Sequence, residues 1–131
     1  MIIGDAIYNI LSNAAPLTAL VGTKIYPVSA PQTTAFPFVV YSIGGGNVTD
    51  QKDGSSPIDD NGLEIDCYAK SYRDAHGVAN AIRTALDDYS GTAAGIVIRR
   101  IYINAPSNDG DFIEDHGFFA VGQNYTVKVQ R

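Results

Sequence analysis
The chain has 131 residues, a formal net charge of −5 and a pI near 4.7, with 45% apolar residues and eight tyrosines. That is one domain with enough apolar matter for a core, and its acidity excludes a generic grip on nucleic-acid phosphates, which needs a basic face. The lone cysteine, Cys67, excludes an intrachain disulfide and a Cys-x-x-Cys zinc site, a usage that suits a reducing cytoplasm.

Ile3, Ala6, Ile7, Ile10, Leu11 and Ala14 recur at spacings of three and four, which predicts a helix. Pro16 ends that pattern and suits the first turn of a second short helix, "APLTALVG", closed by Gly22. "KIYP" reads as a brief edge strand. Pro27, Pro31 and Pro37 then stiffen the approach to "FPFVVYSI", a strand from about Phe38 to Ile43. From Gly44 to Gly62 the composition is polar, acidic and rich in turn formers, so 44–62 is expected to be a flexible surface loop. Leu63, Ile65, Cys67 and Ala69 alternate with Glu64, Asp66, Tyr68 and Lys70, the pattern of a strand with one wet face.

Ser71 precedes Asp74 by three, a cap for the helix whose stripe is Ala75, Val78, Ala79, Ile82, Ala85, Leu86 and Tyr89. Gly91 is placed for a left-handed C-cap. "IVIRRIYI" (96–103) and "FFAVGQNYTVKV" (118–129) close the chain as strands, with Val121, Tyr125, Val127 and Val129 on one face. The expected fold is α+β: a single domain, 1–131, with a four- to five-stranded, mostly antiparallel sheet and two helices packed on one face. No apolar run approaches the ~20 residues of a membrane span, so no membrane partner is expected.

Chemistry is sparse. His116 stands among Asp109, Asp111, Glu114 and Asp115, yet "SNDGDFIEDHG" lacks the ligand spacing of a calcium loop. Cys67 reads as a buried structural thiol and His76 as a surface histidine. The strings for a serine nucleophile elbow, a dinucleotide fold and a phosphate loop are absent. No catalytic, cofactor or metal residue is assigned. The residues open to contact are Asp50, Lys52, Asp53, Asp59 and Asp60 in the acidic loop, with Arg99 and Arg100, adjacent in a strand and so expected on opposite faces.

Four stretches together carry a resemblance. "LTALVGTKIYPVSAPQ", "FPFVVYSI", "LEIDCYAKSYRDAHGVANAIRTALD" and the pair "IVIRRIYI … FFAVGQNYTVKV" are similar, in order and spacing, to the tail completion or tail terminator proteins of long-tailed bacteriophages. The likeness implies a structural virion protein, assembled in the host cytoplasm, with no reaction and no cofactor. It implies a ring, commonly of six copies, that caps the tail tube, ends its growth and meets the head connector. The implied partners are thus a second copy, the tube protein and the connector, with no sequence-specific nucleic acid. A neck or minor tail component on the same fold is the alternative, and a small metal-dependent enzyme a more distant one.

Overall fold
A computed structural model describes residues 2–31, 34–44, 47–51, 54–104, 111–113 and 117–130; for 47–51, 54–58 and 111–113 the backbone alone is described. Helix α1 (Ile3–Ser12) buries Ala6, Ile7, Ile10 and Leu11, the stripe its spacing dictates. Asp5 in its first turn accepts the Ile2 amide at 3.1 Å, an acid at the positive end of the helix dipole. Helix α2 (Ala15–Val21) carries Pro16 in its first turn and stops at Gly22, whose φ of 63° a side chain would oppose. Helix α3 (Tyr72–Leu86) starts where the Ser71 hydroxyl accepts the Asp74 amide at 3.1 Å. It ends without Gly91. Asp87 leaves the helix in extended geometry and Asp88 takes the left-handed turn at φ 64°, a conformation Asp tolerates, while Gly91 opens a strand.

The strands are β1 (Ile25–Pro27), β2 (Phe38–Ile43), β3 (Asn47–Gln51), β4 (Gly54–Ala69), β5 (Gly91–Ala93), β6 (Ile96–Asn104), β7 (Asp111–Ile113) and β8 (Phe118–Gln130). Six of them form a path ordered β1-β2-β4-β8-β6-β5, with β3 added beside β4 and β7 beside β8. Only the β1–β2 pair is parallel among the described strands. The spine is β4 against β8, in register from Ile58↔Gln130 to Ala69↔Phe119.

The α+β class and the antiparallel pairs agree with expectation, but the sheet is wider and there are three helices among the described residues. Within 44–62 the described residues include strand: β3 runs back along β4, and Ile58 to Gly62 pair with β8. The segment's Asp, Gly and Ser content reads as turn, but the long partner β8 offers backbone groups at each step, and pairing outweighs weak propensity.

All three helices serve one face. Helix α3 lies on β4, β8 and β6, while α1 touches β1 and β2 at one end and β5 at the other, so the sheet curls round the helix layer. Leu63, Ile65, Cys67 and Ala69 of β4 meet Val121, Tyr125 and Val127 of β8 in a core with Ile7, Leu11, Leu17, Ile82 and Leu86. Among the described residues one buried polar side chain, that of Gln123, joins them. Gln123 donates through Nε2 to the Ala79 carbonyl of α3 at 3.2 Å and accepts the Tyr125 hydroxyl at 2.7 Å. No helix among the described residues is long and apolar enough to cross a membrane.

Candidate functional site
With the helices on one face, the even-numbered residues of β4 and their neighbours form a face that no helix covers. The register sets its rows. Nearest the Ile58 end stands Asp60–Lys128–Arg100, across β4, β8 and β6; further along are Ser42–Glu64–Asn124–Asn104, then Val40–Asp66–Gly122, then Phe38–Tyr68–Ala120.

The first row is ionic. Lys128 Nζ donates to Asp60 Oδ1 at 3.0 Å, and Arg100 donates through Nε and Nη2 to Asp88 Oδ1 at 3.2 and 2.9 Å. Both cations lie near the Tyr102 ring, at 5.3 Å for Arg100 and 6.0 Å for Lys128. Arg100 and Asp88 are largely exposed, so that pair contributes at most about 1 kcal/mol to the fold. Arg99 donates to Gln130 Oε1 at 3.0 Å.

The two arginines do not alternate as expected. Ile98 faces Val129 and Arg100 faces Lys128, so Arg99 is the extra residue of a β-bulge; both side chains are exposed and neither turns to the helices. Asp60 and Arg100 therefore share one row, and Asp59 falls beside it opposite Val129. Asp50 lies in β3, where the backbone alone is described, and Lys52 and Asp53 lie outside the described residues.

At the other end of this face the signal is aromatic. Phe36, Phe38, Tyr68 and Phe118 form a closed circuit of ring contacts, with centroids 4.9 to 5.5 Å apart, and Lys70 Nζ sits 4.9 Å from the Phe36 centroid. With Val28 and Pro31 they line a groove of about 350 Å³. The proline-rich approach to β2 is thus one wall of a groove as well as a stiff connector. These aromatic residues were absent from the sequence candidates. Phe38 and Val40 are apolar on the side of β2 that ordinary alternation leaves to water, and that was the available signal.

Between the two ends stand Glu64 and Asp66. Burial, and secondarily the Glu64 charge, push the Asp66 carboxyl above its usual range. A second groove, of about 530 Å³, lies where β1 stops opposite Tyr41, with Ile2, Val28 and Ile43 among its walls. Val28 borders both grooves and is 77% exposed at φ 67°, a left-handed conformation unusual for a β-branched residue.

The nucleophile and metal candidates gain nothing. Cys67 is fully buried, and burial pushes its thiol far up, so it stays protonated. His76 is half-buried rather than a surface histidine, its ring 4.3 Å from that of Tyr72. Among the described residues no group of three His, Cys, Asp or Glu side chains is placed to hold a metal. Glu114, Asp115 and His116 lie outside them.

Comparison with known proteins agrees with this shape. The family described as tail completion protein gp17 matches residues 5–129. A chain of the solved structure "Virion of native gene transfer agent (GTA) particle" superposes with a TM-score of 0.75 at 22% identity, covering 96% of this chain and 92% of that one, a likeness of fold. No curated protein matches. The chain belongs to the tail completion protein gp17 family.

Proposed function
From that membership we propose that the protein is a structural component of a phage-type virion, not an enzyme, and that it assembles as a ring of six on the end of the tail tube. The ring stops tube growth and offers the head connector its seat. The observation that carries this reading is the family match over 5–129, nearly the whole chain. The uncovered sheet face supports it. An ionic row, an aromatic groove and two carboxylates on one face suit an assembling subunit better than a solitary one. The net charge of −5 supports the lumen's part, since an acidic lining lets DNA pass without binding it.

The test is electron microscopy of particles made without this gene. Tails of uncontrolled length are expected. Tails of normal length that fail to join heads would move the role to the neck, and normal infectious particles would overturn both.

A further inference from the structure
Tyr68, Asp66 and Glu64 stand on the uncovered face of β4 at every second position, so neighbours along this line are about 7 Å apart. The rings of Phe38 and Phe118 flank Tyr68. Among the described residues no cation pairs with Asp66 or Glu64. Two like charges side by side, one of them half-buried, are an arrangement that an arriving cation relieves.

The matching cation is on the other layer of the same chain. Helix α3 opens with Tyr72 and Arg73. Tyr72 is 47% exposed, yet its ring is held, 4.3 Å from His76 and edge-on to Phe119 at 6.1 Å. Arg73 is exposed and has no ion pair among the described residues. The Ser71 cap fixes the turn that presents them. They cannot meet the carboxylates within one chain, because Asp66 and Tyr68 point away from the helix layer while Cys67 and Ala69 point into it. The α3 start and the aromatic groove nevertheless lie at the same end of the sheet, where β4 leads into α3.

We propose that Tyr72 and Arg73 of one copy dock on the uncovered sheet face of the next, Tyr72 against the rim of the Phe36–Phe38–Tyr68–Phe118 groove and the Arg73 guanidinium between Asp66 and Glu64. The contact joins two different surfaces, so it repeats head to tail, the kind of contact that closes into a ring. It rests on the ring reading above and names the contact that reading requires. An aromatic and an arginine side by side are the residues favoured at the centre of such contacts.

The test uses the full chain, alone and on tail tubes of the same virus. Asn124→Cys, opposite Glu64, and Gly77→Cys, one helical turn after Arg73, leave the charged pair intact; they are combined in one chain and treated with a short bismaleimide, and buried Cys67 does not compete. A covalent ladder reaching the ring size is expected from the double variant, and nothing beyond a dimer from a mixture of the two single variants. Arg73→Glu should weaken self-association by at least about tenfold, and Glu64→Arg added to it should restore assembly. Far-UV circular dichroism checks that each variant is folded. Rings in the wild type with no ladder, and with Arg73→Glu assembling normally, would overturn this contact and leave the ring standing. A wild type that self-associates neither alone nor on tubes would overturn both.

Discussion

Removing the Tyr125 hydroxyl should destabilise the protein out of proportion to the single atom lost. Tyr125 is fully buried, and its hydroxyl donates to Gln123 Oε1 at 2.7 Å; Gln123 is 6% exposed and donates to Ala79 of α3. Burial pushes the Tyr125 hydroxyl well up, so it remains a donor at any ordinary pH. Tyr125→Phe keeps the ring and its packing but leaves Gln123 Oε1 enclosed with no donor. The penalty for a stranded buried acceptor is about 1–3 kcal/mol, and because the long Gln side chain can shift a little, the expected loss is about 1–2 kcal/mol. For a domain of this size that lowers Tm by roughly 3–8 °C.

Gln123→Leu alone strands the hydroxyl and should cost a similar amount. The double variant Gln123→Leu, Tyr125→Phe removes both partners and should lie within about 1 kcal/mol of wild type, since replacing both members by apolar groups of similar shape is nearly neutral. Urea unfolding followed by far-UV circular dichroism, at one fixed protein concentration, gives each midpoint; the slopes should agree. If Tyr125→Phe is neutral within ~0.5 kcal/mol, or the double variant costs the sum of the singles, the buried pair is not what ties β8 to α3.

Ser71→Ala should cost about 1 kcal/mol through the lost cap on the Asp74 amide, read by the same urea midpoints, whereas Ser71→Asp should cost little. Asp66 has its carboxyl raised in the folded state, so the fold carries no penalty while the group is protonated in both states; the penalty grows as pH rises from the ordinary aspartate value of 3.8 through the folded value and is full above it. Asp66→Asn should therefore stabilise the protein at pH 7 and leave it unchanged near pH 3, and equal effects at both pH values would contradict the shift. Deleting 47–57 should preserve one cooperative thermal transition, because that stretch is mostly polar and turn-forming and the described core cluster is complete without it. Loss of cooperativity by calorimetry would place that hairpin inside the folding unit, and limited proteolysis of the intact chain tests whether the segment is as flexible as its composition predicts.

Legibility followed the length and regularity of each pattern. Helix α3 and the half of β4 from Leu63 were readable because five or more residues repeated a period, and Ser71 marked the helix start. Gln123 was readable in principle. It shares its parity with Val121, Tyr125, Val127 and Val129, so position alone puts it on the helix face, and only its polarity argued otherwise. Strands of three residues, such as β5, carry too few positions for any period. The bulge at Arg99 was hidden for another reason: it depends on how β6 registers with β8, and a one-residue slip turns an alternating reading to the wrong face. Of the contact residues chosen from the sequence, Asp60 and Arg100 come together in one row, but through Lys128 and Tyr102, which nothing local singled out.

The two faces of the sheet answer to different demands. Toward the helices, Leu63, Ile65, Cys67 and Ala69 are at most 1% exposed, and the buried Gln123 is hydrogen-bonded on both sides. On the other face the chain keeps four aromatic rings around an open groove, an exposed valine in a left-handed conformation and two carboxylates with no cation among the described residues. The backbone strain at such a valine costs of order 1–3 kcal/mol, and adjacent carboxylates repel, so these features weaken a subunit that stands alone. They are explicable as parts of a contact completed by another molecule. The stiff approach through Pro27, Pro31 and Pro37 belongs to the same account. It carries Val28, Pro31 and Phe36 to the wall of the groove and delivers the chain to β2 at Phe38, so one segment both starts a central strand and shapes the surface beside it.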